Sequence, residues 1–284
     1  HDWMEEAKAA WNPEYNQQTK EEHDRAIEKY YEPRLPWETQ SNFDAATVDI
    51  LNWHFPLSVM VEASRSPSLP DHLRRRLLLT LWTRAIVLKQ PAIAEKSAPE
   101  LIRLAPELAP LMQPYMDART AQERNHAALF VLLKSPDLSP LLNASLPEFS
   151  TIEDSEYYLQ DAWWCPPSDT EYTMKGDEVT KVVPKPPFLS AAQLESARHE
   201  RAMLVAVGDA KVYLAKQTVA WSRNAPQDPR VPEALYIAVQ ATSQYKYGCN
   251  GWEYDRQTKK QAETILRTKY PQSPWAAKLT ELEQ

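Results

Sequence analysis

Apolar positions along this chain recur mostly every three or four residues, the step of an amphipathic helix rather than the two-residue step of a strand. In "FDAATVDILNWHFPLSVMVEAS", residues 43–64, Val48, Leu51, Phe55, Val59 and Ala63 fall near one helical face, and Pro56 is expected to kink or split it. "PDHLRRRLLLTLWTRAIVLKQ" (70–90) spreads Leu73, Leu77, Leu81, Ile86 and Leu88 too widely for a narrow stripe, which predicts a largely buried helix. Shorter helices are expected in "PAIAEKSAPELIRLA", "PELAPLMQPYMDA" and "TAQERNHAALFVLLK", each bounded by proline, serine or threonine. Thr19 with Glu22, and Ser190 with Gln193, have the spacing of capping boxes. After Ser190 a stripe runs from Leu194 to Val219. Arg201 breaks it, and Gly208 is expected to mark a kink or a close helix approach. Two more striped segments follow, at 232–247 and 254–270.

The pattern changes at "WWCPPSDTEYTMKGDEVTKVVPKPPFLS" (163–190), which is rich in proline and β-branched residues. Here "EYTMKGDEVTKVV" has the form of a small hairpin with Gly176 in the turn, a linker being the alternative. The chain therefore divides into an irregular helical array at 1–160, an insertion or linker at 161–189, and helix pairs at 190–284. Composition reinforces an all-α fold. Only four glycines occur, none in the first 175 residues, against 24 prolines. Tight hairpins draw on glycine for positive φ, so a sandwich or barrel is disfavoured, and no glycine-rich phosphate loop exists. Prolines stop helices and suit the first turn of the next one, which implies many short helices with proline-marked corners.

Two of those corners match. "WSRNAPQDPRVPEAL" and "LRTKYPQSPWAAKL" both contain Pro-Gln-x-Pro, at 226–229 and 271–274, an offset of 45 residues. A helix pair recurring at such a period is how α-solenoids are built, chance recurrence in a proline-rich chain being the alternative. Ala262, Leu266 and Pro274, with the corner Tyr270–Ala276, resemble the tetratricopeptide-like proteins of periplasmic scaffolds and outer-membrane assembly lipoproteins. The resemblance covers about the last 80 residues. Lys269 departs from it, standing where a small residue belongs, and the period exceeds the usual value of about 34. The resemblance implies a concave surface that binds a peptide or protein, without catalysis.

Charge and chemistry narrow the reading further. The net charge of −7 gives no global footprint for nucleic acid, and Arg74, Arg75 and Arg76 read as the solvated face of a helix. No apolar run approaches the length that spans a membrane. The six histidines are scattered with no i,i+4 pair, so no metal site and no cofactor is expected. No catalytic motif appears, and no nucleophile elbow. Cys165 in "AWWCPP" and Cys249 in "KYGCNGWEY" are flanked by aromatics. A disulfide between them would close a loop of 84 residues; two buried thiols are the alternative. Trp163, Trp164, Trp252 and Tyr254 lie near helix breaks and are the candidate binding aromatics, core packing being the competing role.

The expected function is a non-enzymatic protein–protein interaction scaffold, with a periplasmic or cell-envelope location favoured over the cytoplasm. It would accept a peptide or partner helix in a groove between stacked helices. The alternative is an all-α glycan-acting envelope enzyme, or the non-catalytic helical part of one. The chain begins at His1, as a fragment or a processed product would.

Overall fold

The computed structural model describes residues 43–143, 163–167, 174–175, 178–179, 183–243, 249 and 255–281. Among them eleven α-helices follow one another: α1 Ala45–His54, α2 Leu57–Ser64, α3 Asp71–Val87, α4 Pro91–Leu104, α5 Ala109–Met116, α6 Ala121–Lys134, α7 Ala191–Val207, α8 Ala210–Asn224, α9 Val231–Ser243, α10 Arg256–Lys269 and α11 Pro274–Glu281. The fold is all-α. A two-residue antiparallel ladder joins Met174–Lys175 (β1) to Glu178–Val179 (β2), with Met174 opposite Val179 and Lys175 opposite Glu178. Gly176 itself, the Thr19–Glu22 spacing, Trp252 and Tyr254 lie outside the described residues.

Proline sets the helix ends. The residue before a proline is pushed out of the α region, so a helix stops there. Ala105, Ser135, Ala225 and Tyr270 each precede a proline, and each has φ between −141° and −128° and ψ between 44° and 75°. At all four, an N–H three residues on donates back to the carbonyl of the stop residue, from Leu108, Leu138, Asp228 and Ser273 respectively. Pro56 likewise splits α1 from α2. Gly208 does not kink a longer helix: it ends α7 with φ of 75°, and nothing lies close to where its Cβ would be. Positive φ, cheap only for glycine, is the reason for it, and close approach is not.

The Pro-Gln-x-Pro corners repeat bond for bond. Ala225 N donates to Trp221 O, Asp228 N to Ala225 O and Val231 N to Asp228 O. Forty-five residues on, Tyr270 N donates to Leu266 O, Ser273 N to Tyr270 O and Ala276 N to Ser273 O. The two corners also touch, because the Tyr270 hydroxyl donates to Pro226 O at 2.8 Å. Helix α9 packs between α8 and α10, and α8 also meets α10, so each helix contacts its two successors here.

Helix α3 is buried around most of its circumference, as its spread leucines predict. Its arginines overturn the expectation of a solvated face. Arg75 and Arg84 are each 2% exposed, and Arg76 is also buried. They are spent on carbonyls at the ends of other elements. Arg74 donates to Ser64 O, Ser66 O and Leu69 O at 2.7–3.0 Å. Arg75 reaches Leu104 O at 3.0 Å and the Glu107 carboxylate at 2.6 Å, and Arg76 reaches Asn143 O at 2.6 Å. Arg84 holds Pro140 O at 2.8 Å and Phe55 O at 3.0 Å. The last carbonyls of a helix have no partner within it, and a guanidinium offers several donors in one plane.

Helix α7 docks on α1 and α2 through polar contacts. Helix α2 follows Pro56 and has no side-chain cap of its own. Glu200 supplies one from a distance, both carboxylate oxygens accepting from Leu57 N at 2.9 and 3.1 Å. The Arg201 guanidinium lies 3.2 Å over the Trp53 ring, and His54 Nε2 bonds Val183 O at 3.0 Å. One hydrophobic core runs from Val48 through Trp163 and Trp164 to Leu279. Described residues of all three expected segments contribute to this core.

Cys165 and Cys249 form a disulfide pair, with Cα atoms 5.2 Å apart across 84 residues of sequence. Beside it, Ala210 N donates to Trp164 O at 3.4 Å, tying the same segment to the start of α8.

Two predictions follow from these constraints. Arg84→Met leaves Pro140 O and Phe55 O without their donor, so unfolding in urea should show a loss of about 3 kcal/mol or more. The exposed Arg103→Met serves as control and should leave the midpoint unchanged. Replacing both cysteines by serine should cost about 4 kcal/mol in the same assay, with added reductant reproducing the loss in the parent alone.

Candidate functional site

A cleft of about 700 Å³ opens where the end of α3, the start of α4, α5, α6 and α8 meet. That size falls in the usual range for ligand sites. Its two long walls are helix faces. On α6, Gln122, Asn125, His126 and Leu129 step by three or four residues; on α8, Tyr213, Gln217, Ala220, Trp221 and Asn224 do the same. A capping box at Thr120 and Glu123 sets the start of α6, and Asp209 caps α8 directly after the Gly208 stop. The floor is buried and made by Ala85, Tyr115, Leu129, Leu132 and Trp221.

The rim is amide-rich. Gln90, Gln122, Asn125, Gln217 and Asn224 all line the cleft and are exposed. Among the described residues no internal hydrogen bond engages these five side chains. Lys89 and Arg124 add positive charge, and among the described residues no Asp or Glu lines the cleft.

The aromatic rings beneath are already occupied. His126 stacks on Trp221 with centroids 5.1 Å apart, and Phe130 meets the same indole edge-on at 6.3 Å. Arg230 lies 5.2 Å from the Trp221 ring and is held in place by a two-pronged bond to Asp228, at 2.9 and 2.7 Å. Burial raises the Asp228 pKa, but the Arg230 bonds and charge outweigh it and hold the carboxyl below its ordinary value. Burial pushes the Tyr115 hydroxyl up to about 12, with the Trp82 indole opposing. Burial also holds His126 below its ordinary 6.5, Asp228 opposing and Arg230 assisting.

Of the expected binding aromatics, the two described ones, Trp163 and Trp164, do not line the cleft. Trp163 is 3% and Trp164 7% exposed, both in the core, and the Trp163 N–H donates to Leu132 O at 3.3 Å. Rings so covered have little surface left for a partner. The cleft residues were not picked out from the sequence. Their signal was the polar face of Tyr213, Gln217 and Asn224, lying beside the apolar stripe of the same helix.

Among the described residues no group of three or more His, Cys, Asp or Glu converges as a metal site would need. Nor is any described helix long and apolar enough to cross a membrane. No protein-family model, curated protein or solved structure matches the chain.

His126 gives the site a pH signature. Its folded form binds a proton less readily than the unfolded chain. Its contribution to stability is therefore full above pH 6.5 and is lost as pH falls through the lowered folded value. His126→Phe keeps a ring on Trp221 and removes the titration. Between pH 7 and about 5 the parent should lose stability relative to this variant, read as the difference between their urea midpoints.

Proposed function

We propose that this chain is a non-enzymatic interaction scaffold that binds an extended peptide segment of a partner protein in the cleft between α6 and α8. The single observation that carries this reading is the set of five free, exposed carboxamides along the cleft. A side-chain amide both donates and accepts, as a peptide group does, so facing amide rows suit a strand of backbone without demanding a particular sequence. Sugar recognition works differently, by stacking on open aromatic faces. The Trp221 ring is buried with His126 stacked on it and Arg230 5.2 Å away, and among the described lining residues there is no carboxyl pair of the kind used to cleave glycosidic bonds. The binding role is therefore preferred to the glycan-acting one.

Tetratricopeptide-like architecture fits the same reading. It is supported by the two corners that repeat their bonds at 45 residues and by the packing of α9 between α8 and α10. A cell-envelope location is supported by the Cys165–Cys249 pair, since disulfides persist in oxidising compartments.

Ala220 is exposed, small and on the cleft wall of α8. Ala220→Trp should fill the cleft without touching the core. Affinity capture from the native host, comparing parent and variant, should show a protein partner bound by the parent and lost by the variant at unchanged melting temperature. Partners retained in full by Ala220→Trp would falsify the cleft as the binding surface.

A further inference from the structure

We infer that the cleft selects peptide segments carrying a carboxylate, received by Lys89 at the rim, with Arg124 lining the same cleft; this rests on the peptide-binding reading above. Lys89 is the one described non-glycine residue with positive φ, at 55°. It follows the last turn of α3 in a Schellman arrangement. Lys89 N donates to Ile86 O at 3.1 Å and Gln90 N to Ala85 O at 2.8 Å. Glycine is the usual residue there because a Cβ is disfavoured in this conformation. A lysine held at that cost, at the mouth of a cleft, points to use of its side chain. It is exposed, and among the described residues it makes no ion pair.

Arg124 has spare donors too. Glu95 takes Nη1 at 3.0 Å and Ala118 O takes Nη2 at 2.9 Å, leaving the rest of the fork open. Among the described residues no Asp or Glu lines the cleft, in a protein whose net charge is −7. Glu95 already pairs with Arg124, so among the described residues Lys89 carries the open positive charge at the rim and Arg124 adds the donors that Glu95 leaves, on a molecule otherwise acidic. The carboxylate has two sources: an internal Asp or Glu, or the C-terminus of the partner.

The test uses two random-peptide libraries, one displayed with free C-termini and one flanked at both ends. Each is selected on the full oxidised chain and counter-scored on Ala220→Trp. Synthetic winners are then titrated against the parent, Lys89→Gly and Lys89→Arg. The expected winners carry a carboxylate, bind Lys89→Gly about tenfold more weakly and recover on Lys89→Arg. Added salt should shrink the difference. Lys89→Gly should melt no lower than the parent, because glycine suits the backbone there. Winners in the free-terminus library alone assign the terminal carboxylate; winners in both assign the side chain. Cleft-dependent winners with no carboxylate bias, or with equal affinity for Lys89→Gly, overturn this inference and leave the peptide reading standing. Winners indifferent to Ala220→Trp in both libraries overturn the peptide reading itself.

Discussion

The last carbonyls of a helix are difficult to bury, because the helix has no donors left for them. In this protein one helix solves that problem for several others. From α3, Arg74, Arg75 and Arg84 take the terminal carbonyls of α2, α4 and α1, while Arg76 and Arg84 take those of the stretch after α6. A guanidinium suits this task better than an ammonium, since its planar fork reaches two acceptors at once and its charge favours the negative end of a helix dipole. The cost appears at Arg84. Full burial lowers its pKa to about 10, even with Glu200 nearby to favour the charged form. Glu200 feels the reverse: burial raises its pKa, opposed by the Leu57 N–H and by Arg84. The two share a site that is costly to ionise and more costly to break.

How far the fold can be read from the chain follows from which forces are local. A proline acts on the residue before it, so the helix stops at Ala105, Ser135, Ala225 and Tyr270 are legible from neighbours alone. The split at Pro56 and the breadth of the leucines on α3 are legible for the same reason. The role of Arg74–Arg76 is not. Its acceptors lie up to 67 residues away, at Asn143, and a run of charge ordinarily belongs on a surface. Gly208 shows the intermediate case. Its presence signals an interruption, but whether the chain kinks or stops depends on Asp209 capping a new helix in its own right.

The cleft was the least legible part. Its working surface is neutral amide side chains, which carry no motif and no unusual charge, and two walls far apart in sequence bring them together. The aromatic clusters that stand out in the chain instead resolve into packing wherever they are described. Trp163 and Trp164 fill the core beside the disulfide, and Trp221 is buried with His126 stacked on it and Arg230 close to its ring. Large rings are the most effective way to bury area in a helical protein, so their abundance reports on the core before it reports on ligands.

The same packing bears on what the cleft can do. Binding an extended segment costs ordering entropy on both sides, and a receptor whose walls are already fixed avoids its share. The α8 wall is fixed from behind. The corner after α8 pins Arg230 through Asp228, Arg230 covers Trp221, and Tyr270 of the next corner bonds Pro226. The start of α8 is tied through Trp164 O to the disulfide-bonded segment. On the peptide reading, the repeated corners therefore act at a distance from the ligand. They hold one wall rigid so that amides on an exposed face meet a partner with little further ordering.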